Sequence, residues 1–423
     1  LSIRIYYIKH EINGISVFHP LNPVKNENSH AILTGTYSLI LTSNSDIFMK
    51  MEKLLKSLSI YDILQKAEQG ERLNFADGVR LFKSNDILPI GHIANIVREQ
   101  KNGNTAYYIT NRHINYSNIC KNRCKFCAFS RDKEESGSYE MDMGEILEKA
   151  VAAVEEGATE LHIVGGLHPD IPFGFYIKML REIHESCPDI HIQAFTAVEI
   201  EHLSQIARLS VHQTLKELKE AGLGSLPGGG AEVFSPKIRE QLCPEKLSGD
   251  GWLQVMREAH TLGLRSNATM LYGHVETHED RINHLIKLRE LQDETGGFMS
   301  FIPLAFHPKN TELSNRSSTT AMLDLKVISI SRLMLDNFDH IKAFWIMLGI
   351  KLSQVSLSFG VDDIDGTVQE EKITHAAGAE TPEALSVREI IKLIKEAGRE
   401  PVERDTLYNP VRRKQRDVML QKA

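Results

Sequence analysis

Residues 159–198 read TELHIVGGLHPDIPFGFYIKMLREIHESCPDIHIQAFTAV. A short β-branched run, LHIVGG, gives way to a segment where Tyr176, Ile177, Leu180 and Ile183 recur at helical spacing. Pro188 stops that segment, and IHIQAFTAV opens a second run of strand character. A strand, a helix and a strand in this order form one βα unit, because parallel neighbours need a helical crossover.

The unit repeats in both directions. Upstream, AYYITNRHINYS reads as a strand. Ile146, Leu147, Ala150, Val151 and Val154 then mark one helical face, and Gly157 suits its C-cap. Downstream, Leu215 and Leu218 lie on a helix ended near Gly222, ahead of SLPGGGAEVF. WLQVMREAHTLG leads into LRSNATMLYG, and FMSFIPLAF, HIKAFWIML and QVSLSFGVDD continue the series as strands. This repetition predicts an α/β fold, a TIM-like βα barrel, full or partial, rather than separate domains. The barrel spans 106–370. A helical segment, 51–105, precedes it, and a helical extension with a polar tail, 371–423, follows. Residues 1–50 carry no motif and read as an extraneous or poorly ordered extension ahead of the better-patterned segment at Met51. Chemistry on such a barrel gathers at the C-terminal ends of the strands.

Composition excludes several classes. The chain has 423 residues, 42% hydrophobic and 25% charged, with a formal net charge of −7. It has no global basic field for nucleic acid or anionic lipid. No apolar run is long enough to span a bilayer, and LSIRIYYIKHEINGISVF lacks a signal-peptide pattern. Three of the five cysteines fall within eight residues, which fits a reducing, cytoplasmic compartment and a metal site better than a disulfide framework.

That cluster is Cys120-Lys-Asn-Arg-Cys124-Lys-Phe-Cys127. Three thiolates at C-x3-C-x2-C spacing hold three corners of a 4Fe–4S cubane and leave the fourth iron without a protein ligand. S-adenosylmethionine fills such a position with its amino and carboxylate groups, and an electron then breaks its sulfonium C–S bond. The alternatives are accidental clustering and a zinc-stabilised interaction module. A zinc knuckle needs a fourth Cys or His, for which His113 is the close candidate. Cys187 and Cys243 read as structural.

HINYSNICKNRCKFCAFSR resembles the radical S-adenosylmethionine (SAM) superfamily, in particular the group that builds menaquinone through futalosine and builds the deazaflavin cofactor. HIVGGLHP, IHIQAFTAVEI, SLPGGGAEVF, NATMLYGHVE, FIPLAFHP, FGVDDIDGT and AGREPVERDTLY extend the resemblance over about 55–410. It implies a radical SAM barrel and a low-potential electron donor such as a flavodoxin or ferredoxin. CAFSR, HIVGGLHP, GGGAEVFSPKIREQLCPEKLS and THAAGAETP favour one branch of the group. That branch adds the adenosyl radical to the vinyl carbon of 3-[(1-carboxyvinyl)oxy]benzoate, an aryl enolpyruvyl ether with two carboxylates. The rival within the group abstracts hydrogen and releases free 5′-deoxyadenosine.

The polar strand ends supply the remaining candidates. In the superfamily a Gly-rich stretch at the place of Gly165 and Gly166 contacts the methionine amino group through backbone, and glycine permits close approach. His168 either donates to a carboxylate or caps the next helix. Phe126 covers the cluster or the adenine, or simply packs. Gln193 and Thr196 offer an amide and a hydroxyl to ribose or carboxylate, or satisfy a loop. Glu232, in the GGGAE segment the family shares, reads as an acceptor for a ribose hydroxyl or the ammonium; no GK[ST] follows, so this is not a phosphate loop. Arg265 alternates with Asn267 and Thr269 and suits a substrate carboxylate, or a structural ion pair. Asp362, Asp363 and His375 read as positioning or proton-exchanging groups, or as caps. Met256, Met270 and Met347 read as core.

Overall fold

The computed structural model describes residues 7–12, 15–20 and 58–413. Of the first fifty residues only Tyr7–Ile12 (β1) and Ile15–Pro20 (β2) are described, paired as an antiparallel hairpin. The rest of the expected extension lies outside the described residues. The hairpin belongs to a unit spanning Leu1–Ser57, and the remainder of the chain forms a second unit from Leu58.

The second unit opens with helices Tyr61–Glu68, Phe75–Lys83 and Ile87–Asn102. Its strands are β3 (Thr105–Ile109), β4 (Asn111–Ile114), β5 (Glu160–Ile163), β6 (His191–Ala194), β7 (Ser225–Leu226), β8 (Arg265–Tyr272), β9 (Phe298–Ala305), β10 (His340–Ile341), β11 (Asp363–Gly366) and β12 (Glu400–Glu403). Strands β4 to β10 line up in chain order as a seven-stranded sheet, and every neighbouring pair is parallel. The sheet curls as the right-handed twist of parallel strands accumulates. One segment after β10 bonds to both of its edges. Lys342 bridges to Asp363 on one side, and Arg112 bridges to Gln369 on the other.

The helices start where side chains can satisfy their free N–H groups. Asp142 with Glu145, Thr196 with Glu199, Thr277 with Asp280 and Ser386 with Glu389 each form a reciprocal capping box. The helix faces toward the sheet are apolar. On Val387–Glu396, Ile390 and Ile394 are fully buried, and each such side chain contributes roughly 1.5–3 kcal/mol.

Four expectations need correction. AYYITNRHINYS is two strands, broken at Thr110. β3 joins a small parallel sheet with β11 and β12, while β4 begins the curled sheet. Thr110 sits at the break because its hydroxyl donates to Glu403 at 2.7 Å and its carbonyl accepts from Thr159 N. QVSLSFGVDD is not a strand throughout: Ile350–Ser356 is helical, since Ser353, Ser356 and Leu357 are buried at helical spacing. Val151 and Val154 are 40% and 43% exposed, so the inward face of their helix is Ile146, Ala150 and Ala153. The stretch after 370 is more than helix and tail, because β12 pairs in register with β3.

Candidate functional site

An open cavity of about 320 Å³ lies inside the curled sheet. The three clustered cysteines line it, on the loop that follows β4. Backbone bonds fix that loop: Cys120 N donates to Arg131 O, Lys121 N to Leu167 O, and Lys125 N to Leu242 O. Burial raises the Cys120 thiol pKa, and its neighbours Cys127 and Cys124 add to the shift. Cys124 is raised by a hydrogen bond with Cys243 and by burial. Cys243 is therefore not remote from the cluster motif but touches its middle thiol, although it does not line the cavity. Among the described residues no three His, Cys, Asp or Glu groups converge on one metal ion.

Gly165 and Gly166 stand against this loop. A Cβ on Gly166 would meet Ile119 O at 2.2 Å, and one on Gly165 would meet the Tyr116 ring at 2.6 Å. Close approach therefore requires glycine at both positions. Their N–H groups are already spent, Gly165 N on Glu199 Oε1 at 3.0 Å and Gly166 N on Ser117 O. Any ammonium they meet is met by carbonyl oxygens. Glu199 also accepts from Tyr116 Oη at 2.9 Å and Thr196 N at 2.8 Å. Burial pushes its carboxyl pKa up against those bonds. Thr196 itself lines the cavity while capping the next helix.

Glu232 is 8% exposed, has a left-handed φ of 49°, and faces the cavity opposite Lys246 at 2.6 Å. The ammonium of Lys246 also lies 5.3 Å from the Phe126 ring centroid, so Phe126, Glu232 and Lys246 share one wall. Gly228 brings the chain within reach of β8, where Thr269 Oγ1 donates to Gly228 O at 2.8 Å. Deeper inside, Gln193, Asn267 and Ser300 form a polar belt: Ser300 Oγ donates to Asn267 Oδ1 at 2.8 Å. His113 and His162 stack at 4.3 Å beside it. Burial lowers both imidazole pKa values, which favours the neutral rings. Glu160, Lys342 and Asp365 complete the interior.

The cavity thus gathers Cys120, Cys124, Cys127, Phe126, Gly165, Gly166, Gln193, Thr196 and Glu232. Five other expected residues do not line it. Arg265 is exposed at the start of β8 and its Nε donates to Gly297 O at 3.1 Å. Alternation fixes a face but not a depth, and the β8–β9 register shifts between Ser266 and Asn267. Asp362 is buried against Arg332, His340 Nδ1 at 2.6 Å and Ile341 N at 2.8 Å. Asp363 accepts from Arg404 Nε at 2.6 Å and Tyr408 Oη at 2.7 Å. Both are structural ion pairs. His168 is 1% exposed, and its Nδ1 accepts from Asp170 N and Ile171 N, which orders the loop before the next helix. His375 braces residues 371–381, its two ring nitrogens meeting Glu371 O at 2.6 Å and Thr381 O at 3.1 Å. Two carbonyl acceptors demand two N–H donors, hence the imidazolium. The Glu371 contact pushes its pKa up to about 9, against burial.

Sequence reasoning passed over Glu199, Lys246, Glu160, His162, Lys342 and Asp365. Glu199 was legible as the third residue of a Thr-x-x-Glu box. Glu160 and His162 are two residues apart on β5, the period that points both to one face.

Residues 114–288 match the radical SAM superfamily, and residues 295–417 match the CofH/MqnC C-terminal region. The chain is 47% identical over 354 residues to the aminodeoxyfutalosine synthase of Thermus thermophilus, covering 83% of this chain and 95% of the relative. It is 41% identical to that of Streptomyces coelicolor, covering 83% and 94%. It is also 42% identical to the 5-amino-6-(D-ribitylamino)uracil–L-tyrosine 4-hydroxyphenyl transferase of Methanopyrus kandleri, covering 73% and 85%. In structure it is similar to the FeFe-hydrogenase maturase of Carboxydothermus hydrogenoformans, with a TM-score of 0.67 at 19% identity, covering 88% of this chain and 85% of that one. Methylornithine synthase gives a TM-score of 0.65 at 19% identity, covering 85% and 99%. These structural likenesses show the fold, and the sequence relatives show the family. The chain belongs to the radical SAM superfamily and is an enzyme of radical chemistry, a family membership that implies a 4Fe–4S cluster and S-adenosylmethionine.

Proposed function

We propose that the chain is an aminodeoxyfutalosine synthase. It joins the 5′-deoxyadenosyl group of S-adenosylmethionine to 3-[(1-carboxyvinyl)oxy]benzoate, with water consumed and methionine and bicarbonate released, to give 6-amino-6-deoxyfutalosine. The observation that carries the reading is one cavity with the three motif thiols on its wall and a charged, amide-rich interior. The near full-length likeness to two synthases supports it.

Cys120, Cys124 and Cys127 would hold the cluster. Their C-x3-C-x2-C spacing on one loop suits three corners of a cubane. When bound, the cluster supplies the electron that breaks the sulfonium C–S bond of S-adenosylmethionine. The chain's own groups bind and orient. The carbonyls beside Gly165 and Gly166 suit the methionine ammonium, and Glu232 suits a ribose hydroxyl or that ammonium. Gln193 and Thr196 offer donors to oxygen groups. Ile302, Leu304, Phe306 and Phe344 give an apolar wall to an aromatic ring and keep water from it.

The second reading is a tyrosine-dependent hydroxyphenyl transferase, favoured by the 42% identity to the Methanopyrus protein. Anaerobic incubation of reconstituted enzyme with each substrate set separates the two. The synthase reading requires product from the vinyl ether and none from tyrosine with the aminouracil. The converse result would replace it.

A further inference from the structure

Two lysines line the cavity among the described residues, and they differ. Lys246 is held by Glu232 at 2.6 Å. Lys342, directly after β10, is 4% exposed, and its nearest carboxylate oxygen is Asp365 Oδ1 at 3.6 Å. Its ammonium makes no hydrogen bond among the described residues. The neighbouring arginines are each paired with a carboxylate, Arg332 with Asp362 and Arg404 with Asp363. A buried ammonium ordinarily spends its donors on acceptors, because leaving them bare costs solvation that nothing returns. Lys342 instead faces open space with donors free.

We propose that Lys342, with Asp365 beside it, is the site that takes the aromatic carboxylate of the second substrate, the role that Arg265 cannot fill from the far end of β8. The inference rests on the synthase reading above. Three features carry it. The anion meets a cation whose donors are unspent. Ile302 and Phe344 flank Lys342 on the wall, so a carboxylate bonded there carries its ring onto apolar surface. The local charge also balances. Glu160 is the second acid facing this lysine, and its carboxyl is lowered despite burial, helped by the charges of Lys342 and Arg404. Burial raises the Asp365 carboxyl pKa, which disfavours its charged form beside the lysine. Lys342 and Glu160 offset each other, and an incoming carboxylate accepts from the Lys342 N–H groups. Asp365 holds this place at a left-handed φ of 64°, a strained conformation of the kind found where a side chain must be aimed.

The test uses the reconstituted holoenzyme and two probes, 3-[(1-carboxyvinyl)oxy]benzoate and its analogue with the benzoate carboxylate replaced by carboxamide. Adduct formation is followed for wild type, Lys342→Met and the pair Lys342→Met with Asp365→Asn. Iron content and melting temperature report folding. The wild type should show a KM for the amide raised roughly 10- to 100-fold over the acid. Lys342→Met should raise the KM of the acid by a similar factor while leaving that of the amide within about 3-fold. The double variant covers the case in which the single one misfolds, and should behave alike. An unchanged KM for the acid, or equal losses for acid and amide, overturns the assignment while the synthase reading stands. A wild type that makes no adduct from the acid removes both.

Discussion

Lys246 Nζ donates to Glu232 Oε1 across 2.6 Å, and both side chains are almost buried, 13% and 11% exposed. The pair fixes a carboxylate at a place where the backbone is already left-handed, two residues after the Gly228–Gly230 turn. Glu232→Gln keeps the shape and removes the charge. S-adenosylmethionine binding should weaken by about 10-fold, while the cluster still assembles. Quenching titrations on reconstituted protein measure it, and unchanged affinity would make Glu232 a structural partner of Lys246 only.

Replacing Cys120, Cys124 or Cys127 by Ala should abolish S-adenosylmethionine cleavage and most iron binding. Cys187→Ala should leave iron content at the wild-type level, since Cys187 ends the helix Phe173–Ser186 and does not line the cavity. Iron and sulfide analysis after anaerobic reconstitution decides it. A Cys124→Ala protein with full iron content would remove the thiols from the cluster.

Arg265 and Asp362 should behave oppositely to what their sequence suggests. Arg265→Ala changes an exposed side chain, so stability should move by no more than about 0.5 kcal/mol and the substrate KM should hold. Asp362→Asn breaks a fully buried pair with Arg332 and should cost about 3–5 kcal/mol. Asp362 is held below its ordinary value, with burial opposed by Arg332 and His340. Its contribution is therefore present above the unfolded carboxyl pKa and lost as pH falls through the folded one. Denaturant unfolding at neutral and acid pH measures both, and a wild-type midpoint for Asp362→Asn would contradict the assignment.

His375 gives a test at alkaline pH. Its folded pKa, about 9, lies above that of a free imidazole, so its stabilisation is complete below roughly 6.5 and fades as pH rises through about 9. Loss of a proton leaves one ring nitrogen facing a carbonyl without a donor. Amide exchange in residues 371–381, corrected for its intrinsic pH dependence, should accelerate between about pH 8 and 10. Flat protection across that range would mean the brace does not depend on charge.

What was legible in the sequence is local. The cysteine spacing is a property of eight consecutive residues, and the Thr196–Glu199 box of four. The βα rhythm survives because each strand and helix carries its own period. What was illegible depends on residues far along the chain. Asp362 and Asp363 look like catalytic strand-end acids until Arg332, Arg404 and Tyr408 are seen to close on them. Asp365, two residues later, escapes those partners and reaches the cavity. Arg265 shares the parity of Asn267 and Thr269, but parity cannot say that it stands at the exposed end of the strand. Lys342 carries no motif. Its meaning comes from burial without an acceptor, which only the fold creates.

The most direct test of the central claim is the fate of the adenosyl carbon. Reconstituted enzyme should be reduced anaerobically with the vinyl ether and S-adenosylmethionine labelled with 13C throughout its adenosyl group, and the products read by mass spectrometry. The account predicts the label in 6-amino-6-deoxyfutalosine, with free methionine unlabelled. Label recovered only as free 5′-deoxyadenosine, with the vinyl ether unconsumed, would contradict it.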